Sequence, residues 1–296
     1  MNFAAMRRYA ACAILALGLS SAANAQSAPL QPSGEWQTER DAESCRLFRS
    51  FGTGARLVTL YFNAYGPDNS YRVTLAGAEV PKNTGKALIA RVGFGAGAEP
   101  EEVIAIAARA GNDGLLSFHL TGNRPAFRFY RTWNLSYDTD TYAGEVDWPD
   151  DHSTLTLQTG EMGQVALALG DMAAPLTALE TCQGELAAAW GWDEARLHNV
   201  ADRARLNDAT GVLKGMSMPP PVVINRSSMI VQLRIEVSAE GRGTECVVQS
   251  PPLEPRAQRE LCAPFTDGAR FTPARNAAGD SVPGLFRLHY SYFIFD

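Results

Sequence analysis

Short apolar–polar alternations broken by turn residues fill residues 35–160, and few folds accept such a chain. The runs EWQTER (Glu35–Arg40), SCRLFRSF (Ser44–Phe51), YRVTLAG (Tyr71–Gly77), KALIARVGF (Lys86–Phe94), LLSFHL (Leu115–Leu120) and STLTLQTG (Ser153–Gly160) each read as strands. RLVTLYFNAYG (Arg56–Gly66) is apolar on both parities, which predicts burial on both faces. Gly66-Pro67-Asp68-Asn69 closes it into a hairpin with Tyr71–Gly77, and Asn112-Asp113-Gly114 marks another turn. EVIAIAARA (Glu102–Ala110) suits strand or helix. About eight to ten short strands of this kind predict an antiparallel barrel or sandwich.

The period changes after Asp171. Leu176, Leu179, Cys182, Leu186 and Trp190 recur at steps of three and four, so they share one helical face. Asp171 is the expected N-cap and Gly191 the stop. The reading for residues 35–194 is therefore a mainly-β domain closed by a helix. Residues 195–221 read as a connector: DEARLHNVADRARL (Asp193–Leu206) suits a partly solvated helix, and MSMPPP (Met216–Pro221) an extended one. Residues 222–296 form a second unit patterned strand–turn–strand–helix–strand. In it Val231, Leu233, Ile235 and Val237 alternate with Ile230, Gln232, Arg234 and Glu236, and Pro255 opens the helix. The whole is a mixed fold, with a mainly-β domain first and a small α+β domain of β-β-α-β order last.

Residues 1–25 have the layout of a signal peptide: Arg7 and Arg8, an apolar core at Tyr9–Leu19, and Ala23-Asn24-Ala25 before the expected cut at Gln26. The apolar core falls short of the roughly 20 residues of a membrane span; an uncleaved inner-membrane anchor is the alternative. Gln26–Gly34 reads as a flexible start. Export to the periplasm is the expectation, and an oxidising compartment suits the four cysteines that remain. Four cysteines allow three pairings; their two-and-two division between the units favours Cys45–Cys182 and Cys246–Cys262. Formal charge is −6 before Arg7 and Arg8 are removed, which argues against a nucleic-acid partner.

Catalytic and metal signatures are missing. There is no G-x-S-x-G, H-E-x-x-H, P-loop or G-x-G-x-x-G pattern, and GFGAGAE (Gly93–Glu99) lacks the lysine and helix of a phosphate loop. His152 follows Asp147, Asp150 and Asp151, a metal-capable grouping that also suits a polar turn. His119 and His289 lie on strands as structural residues, and His198 is expected at the surface. No catalytic residue, metal or cofactor is expected, and an enzyme of unknown type in the β domain stays as an alternative.

Residues 229–295 resemble the TonB C-terminal domain family. The likeness rests on V-Q-L-R-I-E-V with its glycine turn, on E-C-V-V-Q-S, on L-C in the helix, and on R-F-T-P-A-R-N-A-A-G-D-S-V. In that last element Arg270, Phe271, Pro273, Ala274 and Gly279 match the family signature; Asn276 and Ser281 stand where Asp and Pro occur. The cysteine pair is also similar to one in many members. The resemblance covers about a quarter of the chain. It implies a last strand with a free edge, at Leu285, Arg287, His289, Tyr290 and Tyr292, that adds an extended peptide such as an outer-membrane receptor segment. A homodimer through the same edge is a further expectation. The cleavable leader and the short proline run depart from an energy transducer. The expected function is a non-enzymatic periplasmic binding or scaffolding protein, with a TonB-type transducer as the alternative.

Overall fold

The structure, a computed structural model, describes residues 28–67, 70–83, 85–95, 99–121, 124–125, 135–136, 152–216 and 227–293. The leader, Asp68-Asn69, the middle of GFGAGAE, Asp147–Asp151 and most of MSMPPP lie outside the described residues.

The alternating runs pair as expected. Strands β1 (Gln37–Arg40), β2 (Cys45–Phe51), β3 (Val58–Ala64), β4 (Ser70–Gly77), β5 (Lys86–Phe94), β6 (Glu101–Ala110) and β7 (Asp113–Thr121) join β10 (Thr154–Thr159) and β11 (Gly163–Ala168). All are antiparallel, in the order β1-β2-β3-β4-β7-β6-β5-β10-β11, and β8 (Arg124–Pro125) adds to β7. The sheet curls into a half-barrel. EVIAIAARA is a strand: Val103, Ala105 and Ala107 fill the concave core between β5 and β7. Strand β11 has no counterpart among the sequence runs; GQVALA alternates, but over too few large residues to stand out.

Two expectations need correction. The start at 26–34 is not a loose lead-in where it is described. Leu30 exchanges backbone bonds with Ala166 and Ala168 on β11 (2.7 and 3.0 Å), while Ser33 donates to Ser50 O on β2 and Gly52, just past β2, donates to Gln31 O. Residues 30–33 therefore lace the two ends of the curled sheet, satisfying edge groups that would otherwise face water. Nor is β3 buried on both faces. Val58, Leu60 and Phe62 point into the core; Tyr61 lies outside, stacked on Phe48 at 5.6 Å, so the ring's partner is another surface aromatic.

Helix α1 (Ala173–Ala189) covers the curled sheet with Leu179, Cys182, Leu186 and Ala187. Asp171 Oδ1 accepts from Ala173 N at 2.9 Å, although the cap position itself falls on Met172, whose side chain is buried. Gly191 adopts φ +81° and ends the helix, a conformation costly for residues with a Cβ. The Cys45–Cys182 bridge ties α1 to β2 with Cα atoms 6.0 Å apart.

The second sheet contains β13 (Met229–Val237), β14 (Gly243–Ser250), β18 (Gly284–Tyr292) and β9 (Leu135–Ser136), in the order β14-β13-β18-β9. Helix α4 (Pro255–Ala263) packs on one face, and Cys246–Cys262 joins β14 to it. The connector reading fails for its described part. Ala204, Leu213 and Met216 are buried in the core of this second unit. Instead of one helix there are α2 (Glu194–His198), β12 (Arg205–Leu206) and α3 (Ala209–Lys214). Tertiary pairing overrides helical propensity here: Ala201 and Asp202 donate to Arg275 O, and β12 pairs with β15 (Phe271–Thr272).

Candidate functional site

The residues expected to form a peptide-binding edge divide by parity. On β18 Phe286, Leu288, Tyr290 and Tyr292 face the core beneath α4, whereas Leu285, Arg287, His289 and Ser291 take the opposite parity. Tyr290 and Tyr292 are buried edge-to-face at 4.6 Å, so they fill the core and present nothing to a partner. Burial, with Tyr290 beside it, pushes the Tyr292 phenol well above its ordinary value and keeps it neutral. The expected free edge is partly taken: β9 pairs with the end of β18 at Ser291–Ser136 and Tyr292–Leu135.

Of the signature residues, Phe271 and Ala274 build the same core, Pro273 is half-buried, and Arg270 and Gly279 are exposed. Phe271 is buried edge-to-face on Phe286 at 5.4 Å, and Ala274, on the short strand β16 (Ala274–Arg275), is fully buried. Strand β16 turns back into β17 (Ser281–Val282) through residues 276–280, where Gly279 takes φ +86°. Asn276 does what an aspartate would do there and more. Its Oδ1 accepts from Ala278 N and Asp280 N at 3.0 and 2.9 Å, and its Nδ2 donates to Asp280 Oδ2 at 3.3 Å. An aspartate at 276 would set two carboxylates against each other, so Asn at this position suits Asp280.

The face of the second sheet away from α4 is not solvated. It lies against the outer face of the large sheet, and the layer between them is polar. Arg72 on β4 donates to Ser250 Oγ (2.9 Å) and Ile230 O (3.0 Å) across the gap, with its guanidinium 5.3 Å from the Tyr65 ring centre. Gln249 donates to Tyr65 O at 2.9 Å. An apolar corner holds Ala87, Ile104, Ile106, Ile230 and Phe293. In the same seam His119 of β7 stacks on His289 of β18, ring centres 3.9 Å apart. Ser70 Oγ is 2.7 Å from His119 Nε2, and the Gln232 amide is 3.5 Å from Nδ1. Burial first, then His289 and Arg72, hold His119 well below its ordinary value, so the ring is neutral at pH 7. Desolvation alone lowers Arg287 to about 9.

A second cluster joins the units two residues along β13 from Gln232. The buried Arg234 guanidinium lies 3.5 Å from Glu43, 3.6 Å from Glu236 and 3.2 Å from Glu245, and 4.4 Å from the Trp190 ring centre. Trp192 Nε1 donates to Glu236 at 2.9 Å.

This arrangement holds surfaces together. A serine activated by histidine needs a carboxylate or similar acceptor orienting the ring from its far nitrogen. The described group at that position is the Gln232 amide, 3.5 Å from Nδ1. Among the described residues no group of three or more His, Cys, Asp or Glu is placed to hold a metal ion. Of the Asp147–His152 grouping only His152 is described. His198 is exposed and pairs with Glu194 at 3.7 Å. Among the described residues no helix is long and apolar enough to cross a membrane.

The alternation in β4 and β13 is legible in the sequence, but a period of two does not say what the polar parity faces. Arg72, Gln232, Arg234 and Glu236 were thereby passed over. The available signal was the matching polar parity of two strands in different units, each of which offered a face for the other. No protein-family model matches the chain, and neither a curated protein nor a solved structure matches it.

Proposed function

We propose that this is a non-enzymatic exported binding or scaffolding protein whose C-terminal sheet takes an extended segment of a protein partner along an edge. The observation that carries this reading is how the sheet is enclosed. Helix α4 covers one face and the large sheet covers the other, so backbone edges are what the unit has left to offer. Its β18 edge already takes a two-residue strand, β9, in antiparallel register. In strand addition the main chain supplies affinity and alternate side chains supply selectivity. The two disulfides support an oxidising compartment, hence the periplasm. The resemblance to the TonB C-terminal domain points to a receptor segment as partner.

The test uses the oxidised mature chain and a displayed library of extended peptides. Selected binders are then measured against two backbone variants in which the Leu288 or the His289 peptide N–H is replaced by an ester oxygen. Successive N–H groups on a strand point to opposite edges, and both side chains are retained. One variant loses a bond to β13 and is destabilised. The other keeps its stability and is expected to lose peptide binding. Binders indifferent to the outward-facing variant, or no binders at all, would sink the reading. Sequencing the mature amino terminus addresses the transducer alternative: a start at Gln26 removes the anchor that role requires.

A further inference from the structure

The stacked histidines sit where the two units meet, and every element around them adds to the case. Strand β4 brings Arg72 and Ser70, β7 brings His119, β13 brings Gln232 and Arg234, and β18 brings His289 and Arg287. Strands β5 and β6 contribute the apolar Ala87, Ile104 and Ile106. The carboxylates of Glu43, Glu236 and Glu245 converge on Arg234. Two imidazoles with ring centres 3.9 Å apart cannot both take a proton without strong repulsion in a partly desolvated layer, and Arg72 adds a third cation. Both cores lie outside this layer, one under α1 and one under α4, and each has its own disulfide.

We propose that the seam is an acid-released joint: protonation of the His119–His289 pair parts the C-terminal sheet from the outer face of the large sheet while both disulfide-fastened cores stay folded. The sign follows from proton binding. His119 in the closed seam lies below its ordinary value of 6.5, so an opened seam takes up the proton first. Closure is fully favoured above that value and weakens as pH falls through it. Opening would uncover the polar face of β13 and β18 without disturbing the ladder between them.

A buried reporter on the seam tests this in the oxidised mature chain. Ile104→Cys supplies one free thiol in the apolar corner, and Ala87→Cys is a second reporter should the first misfold. Labelling with a disulfide reagent that reacts in acid is followed from pH 8 to pH 4 alongside far-UV circular dichroism. Thiol exposure is expected to rise below pH 6.5, by about tenfold per pH unit for each proton taken up, with the dichroism unchanged. His289→Gln and His119→Gln each leave a neutral side chain at the stack and are expected to move the onset to lower pH. X-ray scattering of the unsubstituted chain should show expansion over the same range. Labelling that appears only as the dichroism collapses, or an onset unmoved in both glutamine variants, overturns the proposal. So does a thiol that stays protected throughout.

Discussion

Removing the Cys45–Cys182 bridge by Cys45→Ala and Cys182→Ala together is expected to cost about 5 kcal/mol in the chain-entropy account of cross-links. The bridge closes a loop of sequence separation 137, so the unfolded chain gains much freedom when it is cut. Alanine suits both sites, because Cys45 is fully buried and Cys182 nearly so. The same pair of changes at Cys246 and Cys262, with a separation of 16, is expected to cost about 3 kcal/mol. Urea unfolding of the two double variants measures both. The diagnostic result is the order: the long-loop variant should have the lower midpoint. If the short-loop variant is the weaker, native contacts around α4 outweigh loop entropy. The long-loop variant should also free α1 from β2, which raises proteolysis near Gly191.

Truncating Arg234 to alanine is expected to destabilise the protein by about 3 kcal/mol, the lower end for breaking a buried ion pair by removing one partner. The guanidinium is buried, but its partners are not equally so. Glu245 is half exposed and Glu43 and Glu236 are more enclosed, so water screens part of the repulsion left behind. Three carboxylates would then share a site without their cation, and the Trp190 ring would lose the group above it. Arg234→Lys is expected to fall between, since an ammonium keeps the charge but not the planar fork that reaches several acceptors. Thermal or urea unfolding at pH 7 ranks the two substitutions against the parent. Equal stability of Arg234→Ala and the parent at pH 7 would make this cluster a surface network of little weight.

Most strands were legible for a local reason. Leu60, Phe62, Val73, Leu75, Leu116 and Phe118 recur at every second residue, and a period of two is a property of the strand itself. The helix at α1 was legible in the same way from Leu179, Cys182 and Leu186. Residues 30–33 and 199–207 were not, because their structure consists of backbone pairing with residues far away in sequence. Arg275 and Ala166 hold those partners, and nothing in the short segments announces them. The candidate edge was only half legible. Tyr290 and Tyr292 fell on the final strand as expected, but which parity faced the helix depended on where α4 packed.

By itself the sequence determined the local periods, the helix limits near Asp171 and Gly191, and the even split of cysteines between two units. Only the tertiary structure decided the sheet order, the lacing of the curled sheet by residues 30–33, and the docking of one polar face on another. Periodicity says that a residue faces some surface and not which one. A face carrying Arg72 or Gln232 and Arg234 reads as solvated until a complementary face, built from a distant part of the chain, arrives to satisfy its donors.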